Sequence, residues 1–243
     1  MDRLDTFLAA TAGAENETIT LRALTLHMLE HIAPRLFKER KLKAIQDRAL
    51  DECLLIDFDF SGDPVQLQAG VDAWYCRFLK GLPHDPPSST RLGAALRTLV
   101  LDEHALTPTL SRGERENRVL YAWLIGEQAA RCGVDVRVPL GPRHFKGTHP
   151  LHDAYWLTHL VMLDSDFFAK PLSHPDAQGW GDDLSALVQW IEQHPNDDLA
   201  GEVALCLRFM NRDASAALEL VKRAAAPEDA HAQATVLLAL SAE

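Results

Sequence analysis

Long hydrophobic runs are missing from this sequence. No apolar stretch approaches the ~18 residues that a membrane-crossing helix needs. The first residues, Met1 to Ala12, lack the basic start and extended apolar segment of a secretory signal, which predicts a cytoplasmic protein. Cysteine is scarce as well: Cys53, Cys76, Cys132 and Cys206 are far apart and form no C-x-x-C pair. Each lies in a helical pattern among apolar neighbours, which predicts reduced, buried thiols rather than disulfides or a zinc knuckle. Basic charge is outweighed, with 24 Lys plus Arg against 35 Asp plus Glu and a net charge of −11. An acidic surface repels phosphate backbones and anionic lipid, so neither nucleic acid nor a membrane is an expected partner. There is no P-loop, no G-x-G-x-x-G after a strand and no G-x-S-x-G elbow, which disfavours nucleotide, Rossmann-cofactor and α/β-hydrolase chemistry. No cofactor is expected.

What is present is helical periodicity with clear punctuation. Leu21, Leu24, Met28 and Ile32 form one stripe over residues 18–32, closed by Pro34. A second helix with a charged outer face is predicted over 35–56. Asp63-Pro64 opens a third, Ser88 or Ser89 a fourth, and the capping box Ser111 to Glu114 a fifth that ends near Cys132-Gly133. Residues 133–147 break the pattern with three alternating valines followed by prolines and glycines, an ordered loop and a candidate junction within a single domain spanning 1–243. Beyond Pro175, four short helices are predicted near 182–193, 197–210, 213–225 and 227–242. Their short connections imply antiparallel neighbours. The expected fold is all-α: stacked antiparallel hairpins, as in an α/α toroid or α-solenoid, around a buried central helix.

That central helix is predicted from Leu151 to Phe167, capped by Thr148 with Pro150 in its first turn. On a helical wheel it is apolar round most of its circumference, yet His152, Tyr155, His159 and Asp166 lie along one side. Buried polar groups must be bonded, so these either satisfy neighbouring helices or line a cavity. His152 and His159 are two turns apart, about 10.5 Å at 1.5 Å per residue, too far to hold one ion. Acid–base work by His159, positioned by Tyr155 one turn before it and tuned by Asp166, is easier geometrically. So is ligand binding by Tyr155, His159 and Trp156 in an apolar pocket, with His152 beside them and His149 closing over the start of the helix. No metal is expected on this strip.

Two other patterns compete with plainer explanations. His27-Met-Leu-Glu30-His31 matches H-x-x-E-H, in which two histidines one turn apart bind zinc and the glutamate acts as base. Here the wheel puts His31 at the edge of the apolar stripe, His27 further toward water and Glu30 on the outer face, which favours an ordinary boundary pair. The basic run from Arg35 to Arg48 is interrupted by Glu39 and Asp47 and reads as a solvated face. His144, in the Pro-rich loop, reads as an ordinary loop residue.

Tyr155-Trp-Leu-Thr158-His159, followed by Asp164-Ser-Asp166-Phe167, resembles a Thr-His…Asp-Phe segment of uncharacterised all-helical bacterial proteins associated with specialised-metabolite gene clusters. It departs from that segment where Phe168-Ala169 replaces a glycine. The resemblance implies an α/α-toroid-like architecture and singles out His159; it implies no activity. Two functions are therefore expected to compete. One is a helical binding or accessory protein that takes a protein or peptide partner or a small molecule. The other is a small enzyme using His159 as general acid or base.

Overall fold

Local signals fix where the helices begin. In the computed structural model, which describes residues 2–13, 15–56, 64–82, 90–96, 112–134, 136, 149–223, 227 and 229–242, every regular element among the described residues is a helix. The chain opens with α1 (Arg3–Ala10), where the Asp2 carboxylate accepts the free backbone N–H groups of Leu4 and Asp5. α2 (Asn16–Ile32) stops before Pro34, which lacks an N–H to continue it and instead opens α3 (Pro34–Glu39). Then come α4 (Lys43–Cys53), α5 (Pro64–Leu79), α6 (residues 90–96), α7 (Arg112–Arg131) and α8 (Pro150–Asp164). The rest is α9 (Ala177–Gln193), α10 (Asp197–Phe209), α11 (Ser215–Arg223) and α12 (Ala230–Ser241). Asn196 and Asp229 cap α10 and α12 through their side chains.

These helices pack in a circuit. α2 lies on α5, α5 on α7, α7 on α8, α8 on α10, α10 on α12, and α12 returns to α2. α1 also meets α12, α4 sits against α2 and α5, and α9 and α11 flank α10. One continuous core runs from Leu4 and Phe7 to Leu238 and Ala239. The tightest contact is between α10 and α12. A Cβ on Gly201 would stand 2.7 Å from Thr235 Oγ1 and 2.8 Å from the Thr235 carbonyl carbon, so only glycine lets these backbones approach so closely.

The expectation of an all-helical chain is met, and several elements differ in detail. Residues 35–56 form two helices rather than one, because Lys41 turns left-handed with φ 53° between α3 and α4. α1 went unforeseen. α8 ends three residues before Phe167: Ser165 turns its hydroxyl back onto the carbonyls of Val161 and Met162, and Asp166, Phe167 and Phe168 all take left-handed φ. The most enclosed helix is α10, buried continuously from Leu199 to Leu207, whereas Leu151, Tyr155, His159 and Leu160 of α8 are only partly buried. Cys53, Cys76 and Cys206 are buried free thiols and Cys132 is half-buried. His149 caps α8, its Nδ1 accepting from the Leu151 N–H at 3.2 Å. The expected caps at Asp63, Ser88 or Ser89, Ser111 and Thr148, along with His144 and most of the 133–147 junction, lie outside the described residues. No helix among the described residues is long and apolar enough to cross a membrane.

The Gly201 contact makes a direct prediction. Gly201→Ala must push α10 and α12 apart, destabilising the protein by about 1–3 kcal/mol. Adding Thr235→Ala should recover only part of this, since a backbone atom is also in the way. Urea unfolding of the single and double variants checks both statements.

Candidate functional site

Four helices, α7, α8, α10 and α12, bring polar side chains near one another. α8 supplies Tyr155, Thr158 and His159; α10 supplies Asp198 and Glu202, one turn apart on a helix face. α12 supplies His231 and Thr235, and Asn196 enters from the α10 cap. The Tyr155 hydroxyl donates to Asp198 Oδ2 at 3.1 Å and accepts from Asn196 Nδ2 at 3.3 Å. The other Asp198 oxygen lies 3.3 Å from His231 Nδ1. Glu202 Oε2 is 2.6 Å from Thr158 Oγ1 and 3.8 Å from His159 Nδ1. Tyr121 of α7 stands close enough that the charges of Asp198 and Glu202 help push its phenol up, after the larger effect of burial.

The His159 ring is fixed. Its Nδ1 is 2.8 Å from the Tyr155 carbonyl oxygen, which can only accept, so Nδ1 carries the hydrogen and Nε2 keeps a lone pair. The side chain retains 27% of its accessible surface. Desolvation lowers its pKa, against the upward effect of the Tyr155 carbonyl and the Asp198 charge. At neutral pH it is a neutral imidazole.

The two carboxyl groups diverge. Glu202 is buried, and desolvation followed by repulsion from Asp198 raises its pKa to about 8. The hydrogen-bond pattern agrees. The Thr158 hydroxyl has one hydrogen but two acceptors within reach, Glu202 Oε2 and the Tyr155 carbonyl at 3.0 Å. A protonated Glu202 resolves this by donating to Thr158, whose own hydrogen then goes to Tyr155. Asp198 is held below the usual carboxylate range: burial opposes ionisation, but bonds to His231, Tyr155 and Thr235 and the His231 charge outweigh it. His231 is correspondingly raised to about 9 by Asp198, against desolvation. Its ring is 60% exposed, so solvent screens much of that pairing.

A second polar group lies between α5 and α7. Asp72 accepts from Gln68 and Gln128, each at 2.8 Å, and Gln68 also donates to Gln128 Oε1 at 2.8 Å. Desolvation lifts Asp72 to about 6, while the two amides and the His231 charge pull the other way. The His231 charge thus acts on Asp72 as well as on Asp198.

Of the residues singled out by the sequence, Tyr155 and His159 are therefore brought together. Asp166 is not with them. Because α8 stops at Asp164, the Asp166 carboxylate turns away to Arg131 at 2.8 Å and Lys170 at 2.7 Å. His152 and Trp156 are buried, and the His152 ring lies 5.6 Å from that of His149, which stands edge-on to Trp190. Asp198, Glu202 and His231 went unnoticed in the sequence. The signal was there: Asp198 just before the apolar run Leu199–Leu207 and Glu202 one turn later inside it, a poor place for charge without partners.

The H-x-x-E-H motif on α2 reverses the expected exposure. His27 is buried at 8% and His31 is exposed. Desolvation and then His31 lower His27 to about 4. A scan against protein-family models, a search of curated proteins and a search of solved structures find no match.

Glu202 sets a pH dependence. The folded protein keeps a proton that the unfolded chain releases above the ordinary value of 4.5. That contribution to stability is complete below 4.5 and is lost as pH rises to about 8. Glu202→Gln, whose amide can donate to Thr158 in the same way, should gain stability over the wild type by roughly 1–3 kcal/mol between pH 5 and 9. Chemical denaturation across that range tests it, and parallel pH curves would refute a protonated Glu202.

Proposed function

We propose that the interior where α7, α8, α10 and α12 meet binds a small polar molecule bearing a carbonyl group and transfers a proton on it. The reading is carried by the two histidines. Both reach solvent, with 27% of the His159 side chain and 60% of the His231 side chain exposed. Their pKa values are driven apart, His159 down and His231 up. Titratable neighbours separated in this way are the mark of an acid and base pair.

The roles follow from the ring nitrogens. His159, with Nδ1 committed to the Tyr155 carbonyl, offers the Nε2 lone pair as general base. His231, held through Nδ1 by Asp198, offers Nε2–H to the oxygen on which negative charge develops. Tyr155 is a positioning residue. It bonds to Asp198 by its hydroxyl and to His159 by its carbonyl, so it sets both halves of the pair. Tyr121, 39% exposed, gives an aromatic wall. The closed packing circuit supports an α/α toroid, whose centre would be this interior. The free thiols accord with a reducing cytoplasm.

A second reading, an accessory protein that docks on a protein or peptide partner, has its own observation. Leu55 is 85% exposed, and Phe78 and Leu82 are 47% and 46% exposed near the adjoining ends of α4 and α5. Arg77 bonds across to the Leu54 carbonyl at 3.1 Å, which brings these ends together.

Long-range 1H–15N NMR of the imidazoles tests the first reading. His159 should appear as the Nδ1–H tautomer and stay neutral below pH 6.5, while His231 stays protonated toward pH 9. In a panel of small esters, amides and keto acids, compounds that bind should shift both rings, and His159→Gln should abolish any turnover while keeping the fold. Ordinary titration of both rings near 6.5, with no compound shifting either, would end this reading.

A further inference from the structure

We propose that His27, Glu30 and His31 on α2 form a binding site for one divalent cation of the zinc class, independent of the His159 site. One ligand atom from each of the three residues lies within 4.8 Å of the others. They occupy one helix face at spacings i, i+3 and i+4, the arrangement by which a single helix can present several ligands to one ion.

The observation that points to a ligand is on His27. Its ring is more than nine-tenths buried, and its Nε2 is enclosed with no hydrogen-bond partner. The backbone and the carboxylate of Asp166 lie close enough to the ring to favour its charged form, against burial and the nearby His31. Nε2 itself is a polar atom enclosed in the protein interior with nothing to satisfy it. A buried polar atom left this way costs about 1–3 kcal/mol.

The neighbours complete a donor set of two nitrogens and one oxygen. Glu30 Oε2 accepts from the buried amide of Gln46 at 2.8 Å, which leaves Oε1 available. The His31 ring stands edge-on to that of His27 with centroids 4.8 Å apart, and it is exposed enough to turn. Zinc bonds of about 2.0–2.1 Å at tetrahedral angles put ligand atoms roughly 3.4 Å apart. Rotation of His31 and Glu30 by about an ångström closes that difference. The fourth position faces solvent and would hold water.

The wall behind the site is unusual. Tyr75 packs edge-on against His27 and, tilted, against Phe167. Phe167 belongs to the run Asp166–Phe168, whose φ angles are 48°, 54° and 68° with no glycine among them. Such backbone persists only when its surroundings hold it. Here Arg131 and Lys170 clamp the Asp166 side chain, and the residue lies close enough to act on the His27 ring. The aspartate that the wheel assigned to His159 thus supports the other cluster.

The test is calorimetric titration of untagged, chelator-treated full-length protein with zinc chloride, together with the visible spectrum of the cobalt(II) form. Wild type should take up one equivalent and give the intense bands of four-coordinate cobalt. His31→Ala, at an exposed position, and Glu30→Gln should each weaken binding at least tenfold with the metal-free melting temperature unchanged. Gln46→Ala should weaken it less, and His159→Gln should bind as wild type does. Absence of saturable zinc binding would overturn the proposal. So would binding that survives both His31→Ala and Glu30→Gln, or that His159→Gln abolishes.

Discussion

Two carboxyl groups one turn apart on a buried helix cannot both carry charge, and the polar interior is arranged around that constraint. Asp198 and Glu202 share one face of α10 in a stretch where almost every other side chain is apolar. Asp198 takes the charge, surrounded by a phenol, a hydroxyl and an imidazole. Glu202 keeps its proton and shares a 2.6 Å hydrogen bond with Thr158. The unequal division then spreads outward. It makes His231 a cation, turns Tyr155 toward α10, and leaves His159 as the neutral member of the group. Removing any of these partners would return the problem of two like charges to the core.

How much of this was legible depended on whether the signal was local. Helix starts with a side-chain cap or a following proline could be read, and so could the apolar stripes. The split at Lys41 could not, because nothing in the pattern of 35–56 distinguishes a left-handed lysine from a helical one. The end of α8 was missed for a similar reason. A wheel extends a helix as long as apolar residues recur, and Leu163, Phe167 and Phe168 recur through a stretch where the backbone has already turned. Tyr155 and His159 were found because they share one helix. Their partners were not, since Asp198 and His231 are 43 and 76 positions from Tyr155 and only the folded circuit joins them.

The same contrast separates the two histidine clusters. Around His159, the polar groups bond chiefly to one another, and the Nε2 atoms of His159 and His231 remain for a visiting molecule. Around His27, the unmet group is inside and its companions are outside. The first arrangement suits proton transfer on a visiting molecule, and the second suits an ion that stays. Residue type alone made them look alike.

The return of α12 onto α1 and α2 has a consequence for how the chain is made. Contacts between residues near 20 and residues near 235 are among the longest-range a chain of this size can form, and such topologies fold slowly. A ribosome delivers α1 and α2 long before α12 exists. Until then the apolar face that α12 will cover, and the small-residue seam at Gly201, stay open to water and to other nascent chains. The core shared by α1, α2 and α12 therefore closes only after α12 has been made, and transiently open apolar surface of this kind is what makes nascent chains prone to aggregate.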